Sequence, residues 1–86
     1  MATKYIKTKD KKIIVFSGLN NHSDFANFHP VSAGFIRFNF DEQKGVQCEC
    51  YGSSFSLQMK SEPEEDTMLA QMQIANSVFY LITMQI

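Results

Sequence analysis

The sequence predicts an α+β domain: an antiparallel β-meander of four to five strands packed against a long C-terminal helix, with a short helical turn near residues 23–28. Three observations predict it. Short β-branched and aromatic runs recur through the first two-thirds of the chain, separated by turn formers. A helix-start signal follows at Ser61–Glu64. Beyond it, Thr67–Ile86 carries no charged side chain, although 20% of the whole chain is charged. Thirteen of those twenty residues are apolar, so the rest of the chain, a second copy or a partner must cover them.

Lys4–Thr8 and Lys12–Phe16 flank the polar Lys9-Asp10-Lys11 and read as an opening hairpin. Ser17–Asn21 breaks the strand. Ser23 or Asp24 then serves as N-cap of a helical turn, Ser23–Phe28, which Pro30 ends. Gly34–Phe40 alternates, with Ile36, Phe38 and Phe40 on one face and Phe35, Arg37 and Asn39 on the other. Asp41–Gly45 is a hairpin loop. Val46–Cys50 and Ser54–Lys60 alternate in the same way, Gly52 lying between them. Three such strands describe a meander with one wet side.

Ser61 as N-cap with Glu64 three residues on makes a capping box, and Pro63 falls in the first turn, where a missing N–H costs nothing. Glu62, Glu64, Glu65 and Asp66 suit the positive end of the helix dipole. Met68, Met72, Ala75, Phe79, Ile82 and Ile86 follow a heptad-like spacing, which favours one helix of about 22 residues. Against that, Asn76-Ser77 is a stop signal, and the composition of Val78–Ile86 suits a final buried strand.

Eighty-six residues make one domain, 1–86. Apolar residues at 44% and eleven aromatics suffice for a core, and a net charge of −1 provides no field for nucleic acid. Charge is nonetheless segregated: five of the eight basic residues precede position 13, and four of the nine acidic ones lie in Glu62–Asp66. The lysine-rich start reads as solvated edges and a turn. No apolar leader or membrane-length run is present, and two cysteines read as reduced thiols, so a cytoplasmic, membrane-free protein is expected.

No catalytic signature stands out. His22, His29, Cys48 and Cys50 lack zinc-knuckle spacing, and the cysteines lie on the apolar face of a strand, so neither a metal nor a thiol nucleophile is expected. The turns Val31–Gly34 and Tyr51–Ser54 could bring backbone N–H groups to an anion, but match no phosphate-loop pattern.

SAGF (Ser32–Phe35), together with YGSSFSL (Tyr51–Leu57) and KSEPEED (Lys60–Asp66), resembles small uncharacterised proteins of bacterial genomes, prophages and phages, over most of residues 4–75. The resemblance implies a small accessory protein that acts by binding. The sequence expectation is therefore a non-enzymatic interaction protein without cofactor. It would be a homodimer, or bound to a protein partner, through Met68, Met72, Ala75, Phe79, Ile82 and Ile86. The alternative is a small-ligand or nucleotide-binding module built on His22, Ser32, Gly34, Gly52, Ser54 and Ser56.

Overall fold

Strands that are apolar on both faces need cover on both, and this chain supplies a different cover for each. The computed structural model describes residues 2–76 and 80–82. β1 (Thr3–Thr8) and β2 (Ile13–Phe16) form the opening hairpin, with Tyr5 opposite Val15 and Lys7 opposite Ile13. A 3-10 helix, His22–Phe28, follows, with Asn21 as its N-cap rather than Ser23 or Asp24; His29 closes it in the left-handed region, just ahead of Pro30. β3 (Pro30–Asp41) and β4 (Gly45–Tyr51) make the second hairpin. β1 also pairs with β3, so these four strands stand in the order β4-β3-β1-β2, antiparallel throughout. With the C-terminal helix α1 (Pro63–Ala75), the α+β class is as the sequence predicts.

Two details differ from the meander reading. Ser54–Lys60 is not one strand: β5 (Ser53–Ser54) and β6 (Met59–Lys60) pair with each other across a turn. Gly52 at φ +81° turns the chain off the sheet, and Ser61 N–H donates to the Gly52 carbonyl to close the excursion. Nor is one face wet throughout: Arg37 and Glu49 on the β3–β4 hairpin are exposed, but the β1–β2 half is covered on both faces. β2 is buried along its whole length, as are the last four residues of β1. One face carries Tyr5, Ile13, Val15, Ile36 and Cys50 against Ala70 and Leu69 of α1. The other packs Ile6, Ile14, Phe16 and Ala33 against Phe25 of the 3-10 helix and against Leu57 and Met59.

The C-terminal segment also departs from the favoured reading. α1 ends at Ala75 with Asn76 as C-cap, 13 residues instead of about 22. Tyr80–Ile82 then forms β7, which pairs in parallel with β2, Ile14 opposite Tyr80. The β-branched and aromatic composition prevails over the heptad spacing, because β2 would otherwise present an apolar strand with an open edge. Phe79 and Ile86 lie outside the described residues. At the other end of α1, Glu62 is the N-cap and Pro63 the first helical residue, with no side-chain cap bond from Ser61 or Glu64. The N–H of Glu62 donates instead to the Asp66 carboxylate at 3.0 Å.

Side chains of α1 finish the hydrogen bonding at both sides of the four-strand sheet. Along β4, the Cys50 N–H donates to Thr67 Oγ1 and the Cys48 N–H to Gln71 Oε1, while Gln71 Nε2 donates to the Val46 carbonyl. On β2, Gln73 accepts from Ile13 N–H at 2.7 Å and donates to its carbonyl at 3.1 Å. Gln73→Leu leaves both backbone groups unpartnered in a buried place. It is expected to cost about 2 kcal/mol, read from a urea-denaturation midpoint.

Candidate functional site

The most concentrated polar chemistry lies beneath the start of α1. Alternation along β1 puts Tyr5 and Lys7 on the helix side of the sheet, and Ser32 stands opposite Lys7 on β3. Asp66 is 0% exposed and Lys7 2%. Asp66 Oδ2 accepts hydrogen bonds from the Tyr5 hydroxyl, from Ser32 Oγ at 2.7 Å and from the Glu62 N–H. Its other oxygen lies 2.9 Å from Lys7 Nζ, which also reaches Glu62 at 2.6 Å and Glu65 at 2.7 Å.

Burial alone would push the Asp66 carboxyl up, but its donors and Lys7 outweigh that and hold it below the ordinary carboxylate value. Burial likewise opposes the Lys7 charge, and the three carboxylates around it raise its pKa above the ordinary lysine value. Burial first, then the hydrogen bond to Asp66, raises the Tyr5 phenol as well. Glu62, Glu65 and Asp66 are close enough together to hold a cation, and the Lys7 ammonium already occupies that role. With its two central groups sealed from solvent, the cluster cross-links β1, β3 and α1.

Nothing local in the sequence marks Lys7 or Tyr5, joins Ser32 to its partner or reveals the role of Asp66. The signal was present in the segregated charge, five bases near one end and four acids at Glu62–Asp66. Each half has a local explanation, so nothing short of the fold joins them.

Of the residues of the expected apolar interface, Ile82 falls in β7, and Met68, Met72 and Ala75 lie outward. Met68 is 55% exposed and Met72 52%, and Ala75 is exposed too. They border a surface groove of ≈ 540 Å³ shared with Gln47, Cys48 and Thr67. Gln71, bonded to Val46 and Cys48, joins this helix face to the far end of the β3–β4 hairpin. There Phe38 pairs with Cys48 and Phe40 with Val46, and Phe40 is 74% exposed.

The residues of the alternative ligand site divide. His22 and Ser56 line one open cleft of ≈ 400 Å³ and are tied together by the Ser23 N–H donating to Ser56 Oγ at 3.2 Å. Ser32 is buried on the opposite face against Asp66, and Ser54 is buried with its hydroxyl accepting from the Leu57 N–H. Gly34 contributes its carbonyl, which accepts from His22 Nε2 at 2.8 Å, so the proton sits on that nitrogen. Burial lowers the His22 pKa against that bond, and Lys4 adds to the lowering, so the ring is neutral at physiological pH. Gly52 lies against the Phe35 ring.

His22 packs beside Phe16, on the face opposite Cys48 and Cys50, so the four His and Cys residues do not converge. Burial pushes the Cys50 thiol up to about 12 and raises Cys48, which keeps both protonated. Among the described residues no helix is long and apolar enough to cross a membrane. No protein-family model, curated protein or solved structure matches this chain.

Proposed function

We propose that this chain is a non-enzymatic interaction protein whose first partner is a second copy of itself, docked through the outer face of α1. The observation that carries the reading is the apolar surface formed by Met68 and Met72 with Phe38, Phe40 and Val46. Five large apolar side chains on adjoining elements are more than scattered surface residues. The face offers both halves of a self-complementary contact: Phe40 stands out as a knob, and the groove beside Met68, Met72 and Ala75 is a hole. A two-fold axis can seat each Phe40 in the other copy's groove. Among the described residues Glu64 is the one charged residue bordering that groove, so an apolar occupant is favoured over a charged one. The reading rests on this surface and not on the resemblance of the SAGF and KSEPEED segments to phage and prophage proteins.

Light scattering after size exclusion is expected to give the mass of a dimer for the native chain. Phe40→Asp and Met72→Glu are each expected to give a folded monomer, since both positions are over half exposed and neither contributes to the core. A native chain that stays monomeric at millimolar concentration overturns the dimer.

A further inference from the structure

A cleft on the opposite face of the sheet is lined by residues distinct from those of the α1 surface. In register across the strands, Tyr51, Phe35, Lys4 and Phe16 form one lateral row. His22 stands edge-on to both Phe16 and Phe35, at 5.5 and 5.9 Å between ring centroids, and so walls off the inner end of the row. Phe35 and Tyr51 lie 5.8 Å apart and tilted by 30°, with the Arg37 guanidinium 4.2 Å above the Tyr51 ring. Over this floor stands Phe55, 97% exposed although its turn is pinned by Gln58 N–H to Phe55 carbonyl and Leu57 N–H to Ser54 Oγ hydrogen bonds. An ordered turn that holds a phenyl ring in water while Leu57 and Met59 beside it pack inward has spent an apolar side chain on something other than the core.

Among the described residues, the polar side chains that line the cleft are Lys4, Asn21, His22, Ser53 and Ser56, with no carboxylate among them. Lys4 lines it, and its ammonium donates to the Asn20 carbonyl oxygen at 2.7 Å, with no carboxylate ion pair to it among the described residues. Ser53 and Ser56 bring hydroxyls, and Ser56 Oγ accepts from the Ser23 N–H, which leaves its own proton to donate. With His22 neutral, the lysine is the site's charge.

We infer that the cleft between the 3-10 helix and the β5–β6 turn binds a small planar aromatic anion. Phe55 and Phe35 take the ring, while Lys4 and the two serine hydroxyls take its anionic group. A volume of ≈ 400 Å³ suits a molecule of one or two fused rings with such a group. A nucleoside phosphate and an aromatic carboxylate share that chemistry.

The test is an amide-detected NMR titration of the full chain with adenosine monophosphate and, separately, with naphthoate. Saturable shifts are expected at Lys4, His22, Phe55 and Ser56 with at least one probe, and the probe that saturates identifies the kind of anion. Phe55→Ala, at a side chain that touches no core residue, is expected to weaken that binding about tenfold, and Lys4→Gln by a similar factor. The uncharged alcohol corresponding to naphthoate is expected to bind at least as weakly as naphthoate binds the Lys4 variant. The proposal is overturned if neither probe saturates, if the shifts gather around Phe40 and Met68, or if either variant keeps native affinity with a native amide spectrum.

Discussion

Lys7→Met is expected to cost about 4 kcal/mol at neutral pH, a large part of the roughly 5–10 kcal/mol that holds a domain of this size together. Methionine replaces most of the lysine stem, so the change removes the charge while leaving the apolar packing nearly filled. What it leaves behind is Asp66, fully buried, with Glu62 and Glu65 turned toward the same point and no cation among them. The pH dependence separates this from a simple packing defect. Asp66 is held below the ordinary carboxylate value in the fold, so its contribution is complete above that value and is lost as pH falls through the folded one. Lys7 is raised, so its contribution is complete below the ordinary lysine value and is lost as pH rises through the folded one. The penalty is therefore greatest between about pH 5 and pH 9 and shrinks on acidification, as the carboxylates become neutral. Urea denaturation of both proteins at neutral and at acid pH measures it. A penalty that stays constant between the two would show that the buried charge pair is not its cause.

How far this fold was legible in the sequence depends on the scale at which a residue's partners lie. The β1–β2 hairpin, the short helix before Pro30, the β3–β4 hairpin and the start of α1 are set by turn formers and alternation within a few residues, and each is present close to its expected place, although both helices take a different N-cap and β3 begins at Pro30 rather than Gly34. The errors fall where partners are distant. Ser54–Lys60 alternates as a strand should, yet Gly52 and the second core on the far face divide it. In α1 two stripes share the same spacing of four and three: Met68, Met72 and Ala75, and Asp66, Ala70 and Gln73. Hydropathy selects the first as the buried one, whereas the fold buries the second and exposes the methionines. The reason is that the sheet beneath α1 offers a buried lysine and unpaired backbone groups of β2, which a polar stripe satisfies and an apolar stripe would leave orphaned. The expected interface residues Met68, Met72 and Ala75 are thus surface residues for a reason their own spacing does not reveal.

Gly34 separates a glycine needed for packing from one that serves a ligand. In the sequence it belongs to a small-residue turn that could approach an anion; in the fold it lies inside β3, buried, where β4 and the start of α1 converge. A Cβ on Gly34 would sit 2.4 Å from the Tyr51 carbonyl oxygen and 3.1 Å from Ser61 Cβ. The first contact is with backbone in a paired strand, which cannot swing aside as a side chain could. Gly34→Ala must therefore push β4 and Ser61 away from β3, and the expected loss is about 3 kcal/mol, at the upper end for overpacking. Gly45, where a Cβ meets nothing within 4 Å but φ is +78°, supplies the contrast. Gly45→Ala pays backbone strain alone, about 1 kcal/mol. Thermal or urea unfolding of the two variants side by side should rank them in that order. The same displacement would disturb the Gly34 carbonyl that fixes the His22 ring, so the His22 side-chain resonances are expected to move in Gly34→Ala and to stay in place in Gly45→Ala. Equal stabilities, with His22 unmoved in both, would mean that β3 and β4 do not approach as closely at Gly34 as the fold requires.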